Sequence, residues 1–259
     1  MNYNYHAHTT RCGHATGTPR EYIEYAIANG VKYMGFSDHA PYIFPDGFES
    51  HYRIPMEQAK DYFSTLNALR EKYKGQIDLK IGFEMEYYPN HFSAMLDIAR
   101  KLGCEYLILG QHFSGEEHPG GFYVVNATDD TALLWEYTNN VLTAMETGVF
   151  SYIAHPDIFN FTGNAADYDA AMRKICIAAR ERNIPLEINF LGIRSNRKYP
   201  REDFWAIAGQ EQSPVTFGFD SHDAQAAYDP ESLKTAMAWV DKYHLNYIGK
   251  PELILLQDK

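Results

Sequence analysis

Cysteine is scarce in this chain. Cys12, Cys104 and Cys176 are the only three among 259 residues, and no two form a C-x-x-C pair. That argues against a disulfide framework and a thiolate zinc knuckle, and it suits a reducing cytoplasm. Long apolar runs are missing too, since none approaches the roughly 18 residues of a membrane span. Met1 is followed by polar residues, and a cleaved leader would remove His6 and His8 with it, so no secretory signal is expected. Basic residues are outnumbered: 23 Lys and Arg stand against 34 Asp and Glu, a formal net charge of −11. This disfavours nonspecific binding to nucleic acid or to anionic membranes, although resident divalent ions would neutralise part of the charge locally. No repeat, low-complexity tract or Pro/Gly/Ser-rich linker divides the chain, which reads as one domain over residues 1–259. Nothing in it fixes an oligomeric state.

What is present is an alternation. Short apolar runs at 3–5, 33–37, 79–83, 106–109, 152–154, 186–189 and 215–219 read as strands. Segments of helical spacing lie at 19–29, 56–73, 91–102, 130–147, 168–182, 201–208 and 230–243. Pro19 after Thr18 and Pro230 after Asp229 suit helix starts, and Gly30, Gly103 and Gly148 fall where helices should stop. Seven strand–helix units imply a parallel sheet with helical crossovers, either closed as a barrel or open and doubly wound.

Histidine decides between them. Six of the seven predicted strands run at their C-terminal ends into a metal-ligand residue type: His6 and His8, His39, Glu84 and Glu86, His112, His155, and Asp220 with His222. A barrel gathers all six around one mouth, whereas an open sheet spreads them along an edge. In a strand, residues i and i+2 share a face, so His6 and His8 can reach one ion, as can Asp220 and His222. Imidazole with carboxylate suits zinc, iron or manganese. Glu84 and Glu86 are two residues apart, and either can bridge two ions. His51, His91, His118 and His244 lack such context and read as solvated, and Cys12 reads as a small semi-buried thiol.

In chain order, H-x-H at 6–8, His14, S-D-H at 37–39, G-x-E at 82–84, G-x-H at 110–112, H-P-D at 155–157 and D-S-H at 220–222 resemble the PHP (polymerase and histidinol phosphatase) family. The match spans residues 6–222. The resemblance implies a distorted, TIM-like (β/α)7 barrel carrying two to three divalent transition metal ions. His6, His8, Glu84 and Asp220 would hold the first ion. Glu84 would bridge to a second, completed by His112 and His155, and His14, His39 and His222 would hold the third. Within the family the chain is most similar to the stand-alone L-histidinol-phosphate phosphatases, through "SDHAPY", "IGFEMEYYP", "HPDIF" and "INFLGIRSNRKYP".

The last of these stretches follows the one strand without a metal ligand. Its Arg194 and Arg197 are candidates to grip phosphate oxygens and offset developing charge, Arg194 favoured first. Relatives often carry a basic residue just beyond H-P-D, and residues 158–161 here have none. Asp157 and Glu86 are candidate partners for a substrate ammonium or imidazole. The loop at 40–55 is long and aromatic enough to cover the pocket.

The expected activity is therefore metal-dependent hydrolysis of a small phosphate monoester, L-histidinol phosphate foremost, with a hydroxide bridging the metals as nucleophile. Glu84, Asp220, Arg194 and Arg197 would be the catalytic residues. The alternatives are a PHP phosphoesterase for another small ester or nucleotide, and a PHP module that binds metal without catalysis. An amidohydrolase is a weaker fit, because it would need neither His14 nor the D-x-H at the last strand.

Overall fold

Runs that are apolar on both faces belong in a parallel sheet covered by helices, and this is where the chain puts them. The computed structural model describes residues 1–258. The strands are β1 (Tyr3–Asn4), β2 (Tyr33–His39), β3 (Asp78–Met85), β4 (Leu107–Leu109), a short antiparallel hairpin of β5 (Phe113–Ser114) and β6 (Phe122–Tyr123), then β7 (Phe150–Ile153), β8 (Leu186–Asn189), β9 (Pro214–Gly218) and β10 (Asn246–Tyr247). All but the hairpin form one sheet, ordered β1-β2-β3-β4-β7-β8-β9-β10, with every pairing parallel.

The sheet closes on itself. At the C-terminal end, Ala7 bridges Ser221: the Ser221 N–H donates to the His6 carbonyl at 3.1 Å, and the His8 N–H donates to the Ser221 carbonyl at 2.9 Å. At the other end β10 fills the gap. It pairs with β9, and the Tyr3 hydroxyl donates to the Gly249 carbonyl at 2.9 Å. The result is a distorted (β/α)7 barrel, and the doubly wound alternative is overturned by this closure. All seven expected strands are present. The hairpin and β10 are additional, because two-residue strands carry no periodicity to read.

Helices α1 (Pro19–Ala28), α2 (Ala59–Lys72), α3 (Phe92–Leu102), α4 (Thr131–Glu146), α5 (Ala165–Arg182), α6 (Phe190–Arg194), α7 (Glu202–Glu211) and α8 (Pro230–Tyr243) connect the strands. Their starts follow local chemistry. Thr18 caps α1 in a reciprocal box with Glu21, while Asp130, Asn164 and Asp229 cap α4, α5 and α8 through their side chains. The five-residue α6 is too short to be read from spacing; it starts where the Asn189 side chain accepts the Gly192 N–H. None of the helices among the described residues is long and apolar enough to cross a membrane.

Two cores result. The larger packs the outer strand faces against the helices, around buried residues such as Trp205, Tyr22, Phe36 and Phe83. The smaller contains Tyr3, Tyr5, Tyr106, Ile108, Tyr152 and Ala154. Tyr106 and Ile108 alternate onto the same face as Gly110, so this cluster lies on the barrel side that carries the site, one layer below it.

Candidate metal centre at the barrel mouth

Glu84, at the end of β3, is the hub. Its carboxylate lies 2.9 Å from His155 Nε2, 3.2 Å from His39 Nδ1, 3.5 Å from His6 Nε2, 3.6 Å from His8 Nε2 and 3.6 Å from His112 Nε2. Asp220 is the second pole, with Oδ1 3.2 Å from His8 Nε2, 3.6 Å from His6 Nε2 and 3.2 Å from His222 Nδ1. His14, His39 and His222 cluster beside them, their rings 4.8 to 6.4 Å apart. Candidate donor atoms lie within 4.8 Å of one another in the sets His6–His8–Glu84, His39–Glu84–His112, His6–His155–Asp220 and His14–His39–His222.

Space for Glu84 is made by Gly110, where a Cβ would stand 1.8 Å from Oε1. Both His155 (φ 31°) and Asp220 (φ 46°) hold left-handed backbone, a strain that the surrounding structure sustains at the site.

The imidazoles are aimed by their far nitrogens. His6 Nδ1 donates to Glu187 at 2.9 Å, His112 Nδ1 donates to Glu86 at 2.8 Å, and His8 Nδ1 lies 3.4 Å from Asp38. His14 and His222 donate from Nδ1 to the Cys12 and Asp220 carbonyls at 2.9 and 3.1 Å. In each of the five, anchoring Nδ1 leaves Nε2 as the ring nitrogen available to a metal, while the flanking carboxylates, outweighing burial, raise His6, His8 and His112. Carboxylate or carbonyl anchoring of the far nitrogen is how metal-ligating imidazoles are oriented.

The electrostatics agree with a cation at the centre. Burial alone would raise the Glu84 carboxyl, but His39, His112 and His6 outweigh it and hold it well below the usual carboxylate range. Burial likewise works against ionised Asp220, and His6, His222 and His8 hold it well below its usual value. Burial, with neighbouring imidazoles adding to it, pushes His14, His39 and His222 downward. His6 Nε2 and His8 Nε2 are buried without a hydrogen-bond partner. Unpartnered buried donors facing two ionised carboxylates fit a bound divalent ion.

Above the centre opens a cavity of about 700 Å³. Its floor includes Glu84, Asp220, His14, His39, His112, His155 and His222, and its walls include Tyr52, Phe113, Tyr123, Ile158, Leu191, Tyr199 and Arg197. Tyr52 and His51 come from the 40–55 loop, so part of that loop does border the cavity.

The structure gathers all nine expected metal ligands at this mouth but separates the expected substrate residues. Arg197 borders the cavity, its Nη1 donating to the Tyr199 hydroxyl at 3.1 Å. Arg194 does not. Its guanidinium donates to the Phe219 and Asp220 carbonyls, both at 2.6 Å, and so braces the Asp220 backbone from α6. Glu86 stands behind His112, paired with Arg53. Asp157 is buried outside the cavity wall, accepting from the Arg201 N–H at 2.6 Å and Trp205 Nε1 at 2.9 Å; burial pushes its carboxyl up to about 7. Arg194 and Glu86 are occupied with protein partners, Asp157 is held through Oδ2 alone, and none of the three lines the cavity.

Other expectations shift too. His51 is at the cavity edge, and His91 and His118 are half-buried, against Glu116 (3.3 Å) and stacked on Phe48 (4.2 Å) respectively. His244 is exposed as the α8 C-cap. Cys12 is fully buried, and its thiol donates to the Thr9 carbonyl at 3.1 Å.

Several supporting residues escape sequence reasoning. β8, expected to bring nothing to the metals, carries Glu187 behind His6 and Asn189, whose Nδ2 donates to Glu187 and Asp220 at 2.7 and 3.0 Å. Two polar residues at i and i+2 in an otherwise apolar strand were the available signal. Asp38 sits within the S-D-H motif itself and accepts the Thr9 N–H at 2.9 Å.

Comparison with known proteins places this geometry. A probable histidinol-phosphatase of Deinococcus radiodurans is 28% identical over 223 residues, covering 84% of this chain and 85% of that one. A histidinol-phosphatase of Bacillus subtilis is 23% identical over 251 residues, covering 85% and 92%. The crystal structure of histidinol phosphate phosphatase from Lactococcus lactis, complexed with zinc, L-histidinol and phosphate, superposes with a TM-score of 0.71 at 21% identity, covering 95% of each chain. The PHP domain model matches residues 4–190, most of the barrel through the end of β8. This chain belongs to the PHP domain family.

Proposed function

We propose that the chain is a single-domain, metal-dependent phosphomonoesterase that hydrolyses L-histidinol phosphate in the cytoplasm. The observation that carries this reading is the convergence of seven histidines with Glu84 and Asp220 beneath one cavity whose sole lysine or arginine, among the described residues, is Arg197. The ligand assignment is His6, His8, Glu84 and Asp220 for one ion, Glu84, His112 and His155 for a second, and His14, His39 and His222 for a third, with zinc, iron or manganese as the metal. Bound there, such ions supply Lewis acidity toward phosphoryl oxygens and bring the pKa of water to about 7.

The protein's own groups explain why cations are required. Two ionised carboxylates face the place of a phosphate dianion, and at roughly 5 Å and an effective dielectric of about 20 each unit charge costs on the order of 3 kcal/mol. Arg197 offsets only part of that and is the residue assigned to the outer phosphate oxygens. Arg194 acts indirectly, by fixing the Asp220 backbone. Tyr52, Phe113, Tyr123 and Tyr199 offer apolar aromatic surface to a flat imidazole and displace water from the reacting centre. The names of the D. radiodurans and B. subtilis relatives, and the histidinol and phosphate in the L. lactis complex, support this substrate. The three cysteines are free and buried, which suits the compartment.

The test is phosphate release from a panel of monoesters by metal-loaded protein. L-histidinol phosphate should exceed glycerol phosphate, a nucleoside monophosphate and p-nitrophenyl phosphate in kcat/KM by about tenfold or more. Preference for another panel member would overturn the substrate while leaving a phosphoesterase.

A further inference from the structure

Arg53 is the most completely enclosed lysine or arginine among the described residues, at 3% exposure, and nothing in the reaction accounts for it. It lies near the end of the 40–55 loop. One Nη donates to Glu86, Nε donates to Glu117 at 2.7 Å, and the other Nη donates to the Tyr88 hydroxyl at 3.1 Å. The guanidinium also sits 5.2 Å from the ring centres of Tyr42 and Tyr52. Both carboxylates are buried, Glu86 completely and Glu117 to within 8%.

Each partner leads to the site. Glu86 uses its second oxygen to accept His112 Nδ1 at 2.8 Å. Glu117 belongs to the turn joining β5 and β6, the strands that bring Phe113 and Tyr123 to the cavity. Tyr52, against the guanidinium face, is itself cavity wall. A buried carboxylate that orients an imidazole needs its other oxygen satisfied and its charge paired, and a planar fork reaches two carboxylates and a hydroxyl from fixed directions that a lysine ammonium does not reproduce.

We infer that Arg53 is a positioning residue: through Glu86 it fixes the His112 imidazole, and through Glu117 it fastens the β5–β6 hairpin, so that one metal ligand and two mouth loops are held as a unit. The inference rests on His112 being a metal ligand. It assigns Arg53 no contact with substrate.

The test reads metal retention without substrate, so that it fails separately from the substrate assignment. Wild-type protein, Arg53→Met, Arg53→Lys and Glu117→Gln are loaded with zinc, dialysed against graded chelator and analysed for zinc per chain, with thermal unfolding and steady-state kinetics alongside. Arg53→Met should lose one ion at about tenfold lower chelator than wild type, within the range seen when outer partners of metal ligands are removed, and keep the rest. Arg53→Lys should fall between them. Glu117→Gln should keep its zinc and show a KM raised severalfold with kcat little changed.

Folded Arg53→Met that holds zinc as wild type does overturns the inference, and so does simultaneous loss of all ions. Should Arg53→Met not fold, Arg53→Lys decides: wild-type retention overturns the inference and selective loss of one ion sustains it. A wild-type chain that holds no zinc removes its foundation.

Discussion

Gly110 shows how much of the centre depends on single side chains. Because a Cβ there would stand 1.8 Å from Glu84 Oε1, Gly110→Ala has to push the hub carboxylate away from the histidines around it. A misplacement of about 1 Å commonly costs on the order of 100-fold in rate, so kcat should fall by at least that while the circular dichroism spectrum stays native. The two arginines should separate in kinetics. Arg197→Ala removes the one guanidinium at the cavity and should raise KM and lower kcat/KM by about 10-fold to 100-fold, in keeping with loss of a charge-assisted hydrogen bond of roughly 1.5–3 kcal/mol. Arg194→Ala instead frees the Phe219 and Asp220 carbonyls and should act mainly on kcat and stability, with little change in KM. Equal KM effects for the two variants would contradict that division.

Among the elements, helix starts and supporting loops divide the work. Thr18 closes a capping box with Glu21 at the head of α1, so Thr18→Ala should cost about 1 kcal/mol in urea unfolding and leave kcat/KM unchanged. Asp157 ties the loop after β7 to α7. Asp157→Ala leaves the Arg201 N–H and Trp205 Nε1 without their acceptor, a cost of about 2–4 kcal/mol read by the same measurement.

The strands that end in candidate ligands were legible because each one is a local signal: an apolar run followed at once by His, Asp or Glu. Their supports were not. Glu187 reaches His6 across 181 residues, and Arg53 reaches Glu117 across 64, so no spacing rule links either pair. Arg194 misled for a related reason. Its position after a barrel strand is right for a cavity residue, but α6 turns its guanidinium back onto the β9 end, and a five-residue helix leaves no periodic trace. Shortness likewise hid β10, a two-residue strand that plugs the gap beside β1.

For the whole molecule, the proposed metals would couple to the fold. The closing bridge at Ala7 and Ser221 lies between His6, His8 and Asp220, so ions bound at the proposed centre would tie β1 to β9. Saturating metal at 100 times Kd stabilises by about 2.7 kcal/mol per site, which for a chain of this size should raise Tm by roughly 5–10 °C for each ion bound. Scanning calorimetry of stripped and reloaded protein checks this.

The central claim is that this barrel mouth hydrolyses L-histidinol phosphate only with its ions in place. The direct measurement is phosphate release from L-histidinol phosphate by one preparation before chelation, after removal of chelator and metal, and after addition of zinc, iron or manganese. The account predicts turnover, its loss by at least about 100-fold, and its return with at least one of the three metals. Undiminished turnover by fully stripped protein, confirmed by elemental analysis, would contradict it.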